Sequence, residues 1–247
     1  MKIGAKKGIR LCLCFAVCIP VLFGQVEAQK ASTPKLPTIV DTDPNLLPHH
    51  INKEKAVGSP YLTTNWVSGY IELENHKHIP DSNEDVLLIY DKIKSIVYLA
   101  NGLNKVWFYE IDSIKSFEMF DNNKVYEFEK VPWISSKFYL TPVIKSAKGY
   151  SLYKRLITNF YWADYSTDGY SFKGKNFDEF DDTYIYYLAY PGNTVFKKLT
   201  LKENSIRRDL KQESSLVKEF FDEHENDMNE QSLLALVQYI DDKKYPE

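Results

Sequence analysis

Between residues 66 and 199 apolar side chains recur at every second position in short runs, and the runs are separated by residues that turn a chain. This pattern constrains the fold more than any other feature. A period of two sends alternate side chains to opposite faces of a strand. Connections of a few residues join strands only in antiparallel fashion, because a parallel pair needs a crossover of about a dozen residues or more. The first series predicts strands over 66–74, 86–91, 95–100, 105–110, 114–120 and 124–129. Asn101-Gly102 and Asp121-Asn122-Asn123 stand where tight turns require positive φ. The second series covers 138–144, 151–162, 170–172, 184–190 and 194–199, with Pro191-Gly192-Asn193 turning between the last two. Antiparallel meanders are the expectation.

Several runs are apolar on both faces, as with Val106 and Phe108 against Trp107 and Tyr109. Burial on two sides implies two stacked sheets, one strongly curved sheet, or a sheet covered by helices. The last quarter then changes period. Leu216, Val217, Phe220 and Phe221 recur at helical spacing, as do Leu233, Leu236, Val237 and Ile240, and Ile206 with Leu210 marks a shorter helix before them. Asp227 and Glu230 have the spacing of a capping box opening the final helix. Strands first and helices last predict an α+β fold, with a β region over 58–200 and a helical region over 201–247 packed upon it.

The segment before this reads differently. Lys2, Lys6, Lys7 and Arg10 precede an apolar stretch from Leu11 to Phe23, and Val26-Glu27-Ala28 has the small residues of a cleavage site. Residues 1–28 are expected to be a secretory signal, since the apolar stretch is far short of the ~20 residues that span a bilayer. Residues 29–57 are polar and contain Pro34, Pro37, Pro44 and Pro48, and read as an extended linker. All three cysteines (Cys12, Cys14, Cys18) lie inside the predicted signal. The chain after cleavage would hold no disulfide, thiolate metal site or cysteine nucleophile. A secreted protein without disulfides or an Asn-x-Ser/Thr sequon fits a bacterial periplasm or exterior better than a eukaryotic one. Without residues 1–28 the chain carries 27 basic against 33 acidic side chains, which gives no attraction for a phosphate backbone; nucleic acid is not an expected partner, and no transmembrane segment is expected in the mature chain.

Candidate chemistry is sparse. His76 and His78, with Asp81, Glu84 and Asp85, contain a half-site for a metal, and His49-His50 a pair without a third ligand; both read as solvated loop residues. Asp178-Glu179-Phe180-Asp181-Asp182 lacks the spaced oxygens of a calcium loop, and Asp222, His224 and Asn226 lead to Asp227 where such a loop requires glycine. No metal or cofactor is expected. There is no Gly-x-Ser-x-Gly, His-Glu-x-x-His, Walker or dinucleotide motif. A pair of carboxylates converging from separate strands, as sugar hydrolysis uses, stays open.

The aromatic content is the more informative feature: 18 Tyr, 14 Phe and 4 Trp make up 15% of the chain. Tyr161, Trp162 and Tyr165 cluster at the end of one predicted strand, and Tyr184, Tyr186, Tyr187 and Tyr190 occupy both faces of another. Aromatics favour strands and fill cores, so only exposed ones point to recognition. Tyr161, Trp162, Tyr165, Tyr184, Tyr186 and Tyr190 are the candidate binding residues.

Gly58-Ser59-Pro60-Tyr61-Leu62, followed by Trp66 and Gly69, resembles the opening of a family of secreted proteins of unknown function common in Bacteroidota. The likeness runs through the short strands to Lys197-Lys198-Leu199 and paired helices ending at Tyr239, covering residues 58–242. It implies export and this architecture, and it brings no catalytic residues. The expectation is an exported, non-enzymatic binding or structural module of the envelope, with an envelope protein or glycan as partner. A hydrolase or glycan-processing enzyme with convergent carboxylates is the alternative.

Overall fold

The computed structural model describes residues 38–40, 56–81, 86–101, 105–146, 148–167, 169–192, 195–224 and 227–245. The predicted signal, most of the predicted linker with His49 and His50, and Glu84, Asp85, Gly102, Asn193 and Asn226 lie outside the described residues.

The first strands are β1 (Thr38–Val40), β2 (Val67–Leu73), β3 (His78–Ile79), β4 (Val86–Asp91), β5 (Ile96–Asn101) and β6 (Val106–Phe108). A short 3₁₀ turn, Ile111–Ser113, leads into β7 (Ile114–Asp121), β8 (Lys124–Val131), β9 (Ser135–Ile144) and β10 (Ser151–Tyr161). After the small hairpin of β11 (Ser166–Thr167) and β12 (Phe172–Lys173) come β13 (Glu179–Ala189) and β14 (Phe196–Leu199). Helices α1 (Glu203–Asp209), α2 (Ser214–Glu223) and α3 (Glu230–Lys244) end the chain. The predicted α+β order of strands, then helices, is present.

One 12-stranded sheet contains every strand except the β11–β12 hairpin, in the order β1-β6-β5-β4-β2-β7-β8-β9-β10-β13-β14, with β3 on β2. Two stacked sheets were one expectation; the strands instead form a single hydrogen-bonded ladder. Nor is the first series a simple meander. After the 3₁₀ turn that follows β6 the chain resumes beyond three strands of the ladder, β5, β4 and β2, and β7 pairs with β2, from Ser68↔Phe120 to Leu73↔Ile114. Gly69 makes this close pairing possible, because a Cβ there would collide with the Glu118 carbonyl.

The sheet curves sharply between β4 and β9. These strands are four places apart in the ladder, about 19 Å on a flat sheet. Yet the rings of Tyr90 and Tyr139 lie 6.2 Å apart, and Tyr90 also touches Phe128 at 5.0 Å. The curl encloses a core of Ile71, Leu88, Leu99, Ile114, Phe117, Met119 and Phe128. On the other face of β4–β6, Tyr61 covers Ile89, Tyr98 and Val106, which explains the apolar runs on both sides.

Beyond β9 the same sheet carries the helices on one face. Leu152, Tyr186, Leu188 and Leu199 pack against Ile206, Leu210, Val217, Phe220, Leu233, Leu236, Val237 and Ile240. The reverse face has its own cluster of Val131, Leu140, Tyr153, Tyr187 and Ala189 under Trp133 and Phe138. The cap of α3 is Asn229, whose Oδ1 accepts from the Ser232 amide at 3.0 Å, so the expected Asp227–Glu230 box is displaced by two residues. Glu230 is instead drawn to Lys154 and Tyr186.

The segment before β2 ties the two parts of the sheet. Val57 forms a parallel bridge to Glu179, and Leu62 donates its amide to the Tyr90 carbonyl at 3.0 Å. Lys92, at the end of β4, adds an ion pair to Asp182 of β13 at 2.7 Å. Together these contacts fix the start of β13, where the candidate site lies. No helix among the described residues is long and apolar enough to cross a membrane.

Candidate functional site: an open aromatic and acidic cleft

β10 and β13 pair along their whole lengths, from Ser151↔Ala189 to Tyr161↔Glu179. The strand expected over 184–190 therefore begins earlier, at Glu179, and takes in most of the acidic stretch. Its alternation explains the difference: Phe180 is one of the few apolar residues there, and it is fixed by Phe160 across the ladder at 4.8 Å rather than by a local apolar period. Past Tyr161 the chain leaves the sheet and makes the β11–β12 hairpin before returning at Glu179.

The base of this hairpin is clamped by two aspartates. Asp178, 4% exposed, accepts from the Ala163 amide at 2.8 Å. Asp164 accepts from the Lys175 amide at 2.7 Å, while its own amide donates to the Lys175 carbonyl at 3.1 Å. Gly174 has φ +77°, and a Cβ there would press on the Asp164 carbonyl, so glycine is needed for the clamp to close. Lys175 then pairs with Glu179, and that hydrogen bond holds its ammonium above the ordinary lysine range.

Between the hairpin base and β13 lies an open cleft of about 650 Å³ lined by Tyr161, Trp162, Asp164, Gly174, Lys175, Glu179 and Asp181. Trp162 is 57% exposed although its ring meets Phe160 edge to face at 4.7 Å, and Tyr161 is 52% exposed. Glu179 and Asp181 are two apart on one strand, so they share a face with about 6.7 Å between them along the chain. The lining contains no serine, threonine, cysteine or histidine. It offers flat amphipathic rings, carboxylate acceptors and one ammonium.

The six candidate residues separate into three groups. Tyr161 and Trp162 line the cleft; Tyr165 is exposed on the adjoining hairpin segment, outside the lining. Tyr184 is exposed elsewhere on β13, with the Lys154 ammonium 5.2 Å from its ring. Tyr186 and Tyr190 are taken up internally. Tyr186 is 3% exposed beneath the helices and donates to Glu230 at 2.7 Å, and burial first, then that carboxylate, raises its hydroxyl well above the ordinary range. Tyr190 packs against the same core and donates to Glu213 at 3.4 Å. Sequence reasoning missed Gly174 and Lys175. The signal available was Lys173-Gly174-Lys175 itself, a turn glycine between two cations shortly before an acidic stretch.

Two of the candidate metal ligands, His76 and His224, are engaged otherwise. His76, with φ 61°, is in a turn and its Nδ1 pairs with Glu72 at 3.0 Å, so it does not share a strand face with His78. His224 stacks on Phe220 at 4.4 Å, and its Nδ1 bonds the Phe220 carbonyl at the end of α2. Among the described residues no group of three or more His, Cys, Asp or Glu is placed to hold a metal ion. Comparison with protein-family models, with curated proteins and with solved structures gives no match to this chain.

Proposed function

We propose that this is an exported, non-enzymatic module of the cell envelope that binds a glycan in the cleft beside β13. The observation that carries the reading is the pair of exposed rings, Tyr161 and Trp162, set beside carboxylates in an open cavity of about 650 Å³. Ring faces stack on the apolar faces of sugars, and carboxylates accept from their hydroxyls. The basic, apolar and small-residue segments of 1–28 support export, as does the resemblance to secreted proteins of Bacteroidota. Titrating the chain with soluble envelope polysaccharide fragments tests the reading through tryptophan fluorescence. A saturable change lost in Trp162→Ala is expected; no saturable change with any glycan overturns it.

Glycan hydrolysis by Glu179 and Asp181 is the second reading, favoured by their shared strand face in an aromatic-lined cleft. It requires Glu179 to leave Lys175. Release of reducing ends from a bound glycan, abolished in Asp181→Asn, would establish it in place of simple binding.

A further inference from the structure

The charge of the cleft narrows the glycan. Three carboxylates (Asp164, Glu179, Asp181) face one ammonium, Lys175, which is already paired to Glu179. Asp164 spends one oxygen on the Lys175 amide. Asp181 is exposed and its carboxylate makes no direct hydrogen bond or salt bridge among the described residues, although its charge also acts on the Lys175 ammonium. The lining is therefore left with two net negative charges beside two exposed aromatic rings. Aromatic faces and carboxylates together attract an organic cation: the ring quadrupole and the carboxylate act on the same positive group. The remainder of the chain points the same way, since 33 acidic against 27 basic residues after position 28 disfavour a polyanionic ligand.

Resting on the glycan reading above, we infer that the ligand is an amino sugar polymer with free, protonated amines, seated with its rings on Tyr161 and Trp162 and an ammonium at Asp181. A neutral or acidic glycan of the same backbone leaves Asp181 without a partner or repels it, so the site discriminates by charge as well as by shape.

Calorimetric titration with a trisaccharide of glucosamine and with its fully N-acetylated counterpart tests this, at about pH 6 where such amines carry a proton. The two share a sugar backbone and differ in charge. The glucosamine trimer is expected to bind about fivefold to tenfold more tightly, the scale of one or two solvent-exposed ion pairs. That advantage should disappear in Asp181→Asn, and should shrink as salt rises from about 0.05 to about 0.5 M. Asp181 is exposed, so an unchanged unfolding midpoint will show that the variant keeps its fold. Equal affinity for the two trimers overturns the amino-sugar inference and leaves the glycan reading standing. Absence of binding by these and every other glycan overturns both. Tighter binding of an oligolysine peptide than of the glucosamine trimer also overturns the inference, because the cleft would then select cations without regard to sugar.

Discussion

Glu213 is 1% exposed and accepts from the Tyr150 hydroxyl at 2.9 Å, the Lys244 ammonium at 2.8 Å and the Tyr190 hydroxyl at 3.4 Å. It thereby joins the sheet to the last turn of α3. Burial first, and then this carboxylate, pushes the Tyr190 hydroxyl up to about 12; Tyr150 reaches about 12 chiefly through burial. Burial alone would lower Lys244, but Glu213 and Tyr150 outweigh it and hold the ammonium above the ordinary lysine range. Glu213→Ala leaves the two phenols and the ammonium without their acceptor. Losing one partner of a buried pair costs about 3–5 kcal/mol, and since the Lys244 side chain is 34% exposed the lower end, about 3 kcal/mol, is expected in urea unfolding. Trp162→Ala belongs to the opposite class. Its ring is more than half exposed, so stability should change by less than about 1 kcal/mol while glycan binding is lost. A large stability loss there would mark Trp162 as a core residue and remove the basis of the site.

Helix α3 is the element whose role the sequence states most openly. Leu233, Leu236, Val237 and Ile240 were expected to form a buried stripe, and each is at most 1% exposed. Gln231 and Asp242 on the opposite side are exposed, but Glu230 and Asp241 are not free in solvent: Glu230 meets Lys154, and Asp241 accepts the Tyr150 amide at 2.8 Å. A charge at the stripe, Leu236→Asp, should lower stability by more than about 4 kcal/mol, whereas Gln231→Lys should leave it unchanged within about 0.5 kcal/mol. Asn229→Ala removes the cap and should cost about 1 kcal/mol by thermal unfolding. If ending the chain after Asn229 leaves the unfolding midpoint unchanged, α3 contributes nothing to the core shared with β10, β13 and β14.

At the scale of the whole molecule, stability should depend on pH at both ends of the range. Glu72 is held down at about 2 by the Lys115 ammonium, with His76 adding to it. Glu230 is also lowered: burial alone would raise it, but hydrogen bonds from Lys154 and Tyr186 prevail. A carboxylate lowered in the folded state stabilises above its unfolded value near 4.5, and that contribution fades as pH falls toward the folded value. Raised phenols and ammonium act in the opposite sense, so their contribution is complete below about pH 10 and fades as pH rises toward 12. Unfolding midpoints should be level between these limits and fall outside them; Glu72→Gln should weaken the acid-side dependence, and an unaltered profile would contradict this pairing. Period and turn chemistry are local, so the sequence by itself determined the strands, the helical tail, the helix stripe and the absence of cysteine beyond Cys18. Strand order, the curl that brings Tyr90 to Tyr139, and which face each tyrosine meets depend on partners far along the chain. Tyr184 and Tyr186 are two residues apart on one strand face, yet one is exposed and the other is buried beneath helices. Only the tertiary structure decided that difference, because the helices that cover Tyr186 begin after the strand has ended and their docking is a property of the assembled core.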